Sequence, residues 1–109
     1  MTNHDYSKVR VYNKLVRDKL PEVIAATGKP YTSHVATDVE YQEKLRQKLR
    51  EELAEYLASG EAADLADILE VIYALAELGG LDRAALERER QRKAAERGSF
   101  TKRIILEES

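Results

Sequence analysis

Apolar residues recur along this chain at the three- and four-residue spacing of a helix in four places. From Asn13 the series Leu15, Leu20, Val23 and Ile24 predicts a first helix ending near Gly28. Pro21 lies inside that series, so either the pattern breaks there or the helix begins there. Asp38 has the chemistry of an N-cap for a second helix, with Tyr41 near its start, Leu57 near its end, and Ser59-Gly60 as its stop. A third helix is expected from about Glu61 to Leu78, closed by Gly79-Gly80, and a fourth from the Asp82 cap to about Glu96, closed by Gly98. Helices two and three are joined by only a few residues and are therefore antiparallel. Tyr31–Ala36 (YTSHVA) and Arg103–Leu106 (RIIL) are short, β-branched and aromatic, and are expected to pair as a minor two-stranded ribbon, 31–36 with 101–106. Residues 1–11 are polar and read as a loose arm. The expected fold is all-α, a bundle of four to five helices in a single domain over residues 1–109.

Composition changes this picture in three ways. At 109 residues the chain is one domain, and a domain of this size buries only about two-thirds of its unfolded surface. A helical layer this small has reason to pair with another copy. With 43% apolar and 35% charged residues, two prolines and five glycines, the chain is neither disordered nor built to span a membrane. Its N-terminus lacks the apolar core of a signal peptide, and it contains no cysteine. Disulfides, thiolate metal sites and a cysteine nucleophile are thereby excluded, and a cytoplasmic location is expected.

The net charge of −2 conceals a sharp segregation. Glu51 to Asp82 holds nine carboxylates and no Lys or Arg, whereas Arg83 to Arg103 holds eight bases against three acids. An acidic middle between basic ends suits a polyanion handled through cations. On a helical wheel, Tyr41, Leu45, Leu49, Leu53, Tyr56 and Leu57 form the apolar stripe of the second helix. Glu52 falls in the middle of that stripe, Glu55 at its edge and Glu51 further round. On the third helix Asp64 and Asp67 flank the direction of Val71, toward packed surface, while Glu70 and Glu77 share another flank. A charged carboxylate on a buried face is costly unless paired or bound to metal, and no base follows Arg50 on these two helices to pair locally. Taken singly, Glu52 or Asp67 reads as an ordinary edge carboxylate or a partner for the basic last helix. Two i, i+3 acidic pairs on adjacent antiparallel helices can instead converge on one point, and all-oxygen ligation suits Mg²⁺ or Mn²⁺.

Glu51-Glu52-x-x-Glu55, followed by the Asp64-x-x-Asp67 pair at the head of an apolar helix, resembles the MazG-like all-α NTP pyrophosphohydrolase superfamily. The opening Tyr12-Asn-Lys-Leu-Val-Arg-Asp-Lys-Leu-Pro-Glu22 is similar to its small, phosphoribosyl-ATP pyrophosphohydrolase-like members, as is the stretch from Lys93 to Arg103. The resemblance implies a helical homodimer or homotetramer with Mg²⁺ on Glu52, Glu55, Asp64 and Asp67. It further implies an additional acid at Glu51 and phosphate contacts from Lys93 and Arg97. Two departures stand out. Asp64 occupies a position that is usually Glu, and the connection between the acidic pairs is short, with eight residues between Glu55 and Asp64.

The expected chemistry is Mg²⁺-dependent hydrolysis of a nucleoside triphosphate at its α–β linkage, giving a monophosphate and pyrophosphate. Noncanonical or surplus nucleotides are the expected substrates. Glu51 or Glu55 would take the water proton, and Lys93 and Arg97, with Lys14 and Arg17, would hold phosphate oxygens. Arg88, Arg90 and Arg92 read as a solvated helix face, and His4 and His34 as bystanders. Tyr31, Tyr56, Tyr73 and Phe100 are candidates for base stacking or for core. Hydrolysis of phosphoribosyl-ATP in histidine biosynthesis is the alternative on a bulkier nucleotide, and a non-catalytic oligomeric binding module is the alternative of another class. Nucleic acid is not an expected partner, because the acidic helices repel phosphates.

Overall fold

The structure is a computed structural model and describes residues 10–109. The first nine residues of the expected arm, His4 among them, lie outside the described residues. Four α-helices follow in order: α1 (Leu20–Ala26), α2 (Asp38–Ser59), α3 (Ala62–Leu78) and α4 (Arg83–Arg97). Pro21 stands in the first turn of α1, where a missing N–H breaks no helical bond, so it starts the helix. The cap of α2 is Thr37 and not Asp38. Thr37 has extended backbone and its hydroxyl accepts from the Glu40 N–H at 3.3 Å. Thr37-x-x-Glu40 has the sequence of a capping box, yet the Glu40 carboxylate turns outward to His34 Nε2 at 2.7 Å. Gly60, at φ 68°, ends α2 in the left-handed conformation that spares a glycine the Cβ clash, and its N–H bonds to the Tyr56 carbonyl at 2.7 Å. Asp82 caps α4 as expected, accepting from the Ala85 N–H at 2.8 Å.

Two residues link α2 to α3, and the two helices pack against each other as an antiparallel pair. α4 packs on α3 alone; α2 and α4 do not meet. Among the described residues the buried apolar core is Leu45 of α2 (2% exposed) and Val71 of α3 (8%). The radius of gyration is 19.4 Å, against about 13 Å for a compact chain of this length. Large apolar side chains stay open to solvent on both central helices, Leu53 and Leu57 on α2 and Leu65 and Leu69 on α3. No described helix is long and apolar enough to cross a membrane.

The expected ribbon does not form: no strand occurs among the described residues. Arg103, the first residue of the second expected strand, adopts φ 58° and donates its N–H to the Phe100 carbonyl at 3.1 Å, so the chain turns where it would have had to extend. Val35, Ile104, Ile105 and Leu106 are all exposed. A two-stranded ribbon with no face to pack on is not stable in water.

Thr37→Ala is expected to lower stability by about 1 kcal/mol through the lost cap, and Asp38→Ala by less, since it weakens only the helix-dipole term. Circular-dichroism melts of both variants check this order; a larger loss from Asp38→Ala would put the cap back on the aspartate.

Candidate functional site

Seven residues, two helical turns, separate Leu45 from Glu52, so both side chains leave α2 in the same direction. On α3, Asp67 precedes Val71 by one turn. Because the chain reverses at Gly60, Glu52 and Asp67 both lie nearer the reversal than the Leu45 and Val71 pair. The two carboxylates therefore continue the apolar seam toward the turn. Glu55 is one turn further along α2 than Glu52, and its side chain reaches the same place from the exposed side. One carboxylate oxygen from each of Glu52, Glu55 and Asp67 lies within 4.8 Å of the others.

Glu52 is the buried charged residue of the described chain, 7% exposed. Its Oε1 lies 3.5 Å from Lys48 Nζ, one turn back on α2, and its Oε2 is buried with no hydrogen-bond partner among the described residues. Burial first, and then the adjoining Glu55 carboxyl, hold the Glu52 pKa above the ordinary glutamate value of 4.5, while Lys48 pulls the other way. The three acids share a pocket of about 240 Å³ with Lys48 and with Val16, Arg17 and Leu20. An orphaned, buried carboxylate oxygen in an all-oxygen donor set is what a hard divalent cation would complete.

The wall of that pocket is the irregular segment before α1. Arg17 donates from Nη2 to Asp67 Oδ1 at 2.6 Å. Lys14 Nζ lies 3.2 Å from Glu51 Oε1, and Lys44 Nζ donates to the Asn13 carbonyl at 2.6 Å. The expectation that local ion pairs cannot satisfy these acids is corrected only in part: Lys48 reaches Glu52 Oε1 from the preceding turn, though Oε2 stays without a partner, while the base on Asp67, Arg17, comes from fifty residues away in sequence. The i, i+4 spacing of Lys48 and Glu52 was a visible signal for the first; nothing local in sequence signals the second.

Asp64, Lys93 and Arg97, the other expected site residues, lie elsewhere, as do the charged and aromatic side chains around them. Asp64 is one turn before Asp67, and its carboxylate accepts from the Ser59 hydroxyl, so it serves the α2–α3 turn and stands outside the three-oxygen group. Glu61 occupies the N-cap position of α3, with its N–H on Ser59 Oγ at 3.2 Å. Lys93 and Arg97 are exposed on α4, which touches α3 and not α2, and neither lines the acidic pocket. Arg97 and the tail residues Gly98–Ile105 instead surround a separate cavity of about 790 Å³. Arg90 and Arg92 are tied within α4 to Glu87, Glu89 and Glu96. Tyr73 lies under the Arg83 guanidinium, 4.4 Å from ring centroid to cation, and Arg83 also approaches Glu70 at 3.8 Å. Tyr31, Tyr56 and Phe100 do not line the acidic pocket.

Because the Glu52 pKa is raised on folding, the folded chain binds that proton more tightly than the unfolded chain. Its stabilising share is complete below the unfolded value of 4.5 and is lost as pH rises through the folded one. Glu52→Gln removes the charge and lets an amide N–H donate to Glu55 or Asp67, so in metal-free buffer at pH 7 the variant should melt higher than the parent. Scanning calorimetry at pH 4 and pH 7 should show that gain at pH 7 alone.

Against known proteins, no family model, no curated sequence and no solved structure matches this chain.

Proposed function

We propose that the chain is a Mg²⁺-dependent nucleotide pyrophosphohydrolase of the MazG-like kind, cleaving a nucleoside triphosphate at the α–β linkage to a monophosphate and pyrophosphate. The observation that carries this reading is Glu52: a buried carboxylate with one oxygen unpartnered, within reach of oxygens from Glu55 and Asp67. Glu52, Glu55 and Asp67 would hold the metal. Asp64 joins them only if it gives up its bond to Ser59. A divalent cation at this point, Mg²⁺ or Mn²⁺, supplies positive charge for phosphate oxygens and acidifies a bound water.

The chain's own residues supply the rest. Glu51, next to Glu52 on α2 and outside the three-oxygen group, would accept the water proton as the nucleophile forms. Arg17, which lines the pocket, and Lys14, three residues before it on the same segment, would take phosphate oxygens and stabilise the charge that develops on the leaving pyrophosphate. Lys93 and Arg97 serve the same purpose only if α4 of a second copy brings them to the pocket, since their own α4 does not meet α2. A homo-oligomer also suits the packing. The accessible surface is 10136 Å², against about 6,100 Å² for a compact chain of 12.4 kDa. α3 is apolar on most sides yet buries one residue, and a helix of that kind calls for cover on its other faces. Noncanonical or surplus nucleotides remain the substrates of this reading, and a cytoplasmic setting goes with it.

Pyrophosphate release from a panel of NTPs, dNTPs, damaged nucleotides and phosphoribosyl-ATP tests the activity. Release should require Mg²⁺ or Mn²⁺, vanish in a folded Glu52→Gln variant, and fall about 10²–10⁴-fold in kcat with Glu51→Gln. Preference for phosphoribosyl-ATP would move the role to histidine biosynthesis; silence from folded, metal-loaded protein would leave a binding module. Sedimentation velocity should return a dimer or tetramer that Leu65→Asp with Leu69→Asp breaks up, and a parent chain that sediments as a monomer would remove the shared site.

A further inference from the structure

The segment before α1 is fixed at three successive points. Asn13, at φ 46°, offers its carbonyl to Lys44 at 2.6 Å; Lys14 lies 3.2 Å from Glu51; Arg17 bonds Asp67 at 2.6 Å. The first two contacts are on α2 and the third is on α3, so the strap crosses the seam where the acids gather. Its two cations sit on carboxylates that the proposed reaction needs free, one a metal ligand and one the proton acceptor. Both side chains are more than half exposed, 51% for Lys14 and 63% for Arg17, so neither is locked in by packing.

We propose that Lys14 and Arg17 are exchanging cations. In the free protein Arg17 stands in for the metal on Asp67, and Lys14 neutralises the neighbouring Glu51. When a divalent cation claims Asp67, Arg17 is released, and both side chains pass from carboxylate to substrate phosphate. This inference rests on the metal-dependent reading above and adds an order of events to it. Metal uptake is opposed by Arg17, and nucleotide binding is helped by the same residue. The guanidinium suits the exchange because its planar fork fits a carboxylate and a phosphate equally well. Release of Lys14 also uncovers Glu51 Oε1, while Lys48 Nζ stays 3.9 Å from Oε2. Asn13 can stay on Lys44 throughout, which keeps the strap hinged at one end. A purely structural ion pair would compete with the metal in the same way but would give the nucleotide nothing, so the sign of the nucleotide effect separates the two.

The test is calorimetric titration of the full chain with Mn²⁺ alone, at low salt, for the parent, Arg17→Gln, Arg17→Lys and the remote control Lys29→Gln. Exchange predicts that Arg17→Gln binds Mn²⁺ about two- to fivefold more tightly than the parent, the scale of an exposed ion pair. Arg17→Lys should stay near the parent and Lys29→Gln should be unchanged. In saturating Mn²⁺, a non-hydrolysable α,β-methylene nucleoside triphosphate should bind Arg17→Gln more weakly than the parent, the opposite sign from the metal. Equal or weaker Mn²⁺ binding by Arg17→Gln overturns the exchange and leaves the metal site standing. Equal tightening by Lys29→Gln overturns it too, by reducing the effect to net charge. If neither the parent nor any variant takes up Mn²⁺, the metal-dependent reading itself falls.

Discussion

Everything near the centre of this molecule is arranged around one carboxylate that has too little to bond with. Glu52 lies in the seam between α2 and α3, where its neighbours along the stripe are Leu49 and Tyr56, and Lys48 at 3.5 Å offers a single, shared ammonium. An ionised group in that position is expensive, and the surrounding acids raise the cost. Glu55 and Asp67 place further carboxylate oxygens within 4.8 Å. Arg17 is drawn in from the far end of the chain for the same reason. A fold selected for stability alone would have continued the leucine stripe and spared itself the strap. Retaining three acids at the end of an apolar seam makes physical sense if positive charge arrives from outside.

The four helices were legible because their signals are local. Gly60, Gly98, Asp82 and the leucine spacing of α2 each act within one turn of where they stand. The burial of Glu52 could also be read, because a stripe of apolar residues at helical spacing fixes what shares its face. The errors have local explanations as well. Asp38 and Thr37 are both good capping residues, and only the Glu40 N–H, which the threonine hydroxyl reaches, decides between them. The ribbon was read from residue types that favour extension, but such segments need something to lie against, and Arg103 turns instead.

What was not legible depends on contacts between distant parts of the chain. Nothing in the sequence around Asp64 says that Ser59 will engage its carboxylate, since that depends on how tightly Gly60 closes the reversal. Nothing around Arg17 names Asp67. The separation of α4 from α2 is equally invisible to periodicity, which assigns Lys93 and Arg97 to an exposed face without saying what that face looks toward. Helical pattern gives the direction of a side chain on its own helix; it gives no distance to another.

The two-residue link between α2 and α3 has a consequence for the order in which the molecule assembles. Contacts between neighbours in sequence cost little loop entropy, so the α2–α3 pair can close early, on the fast scale of helical hairpins. The bond from Arg17 to Asp67 spans fifty residues and has to wait until that pair exists. Loop entropy thus favours closure of the middle of the chain ahead of the strap. Wherever the strap is lifted, Asp67 and Glu51 lose the Arg17 and Lys14 partners that mask them, and the turn end of the pair becomes the more acidic surface.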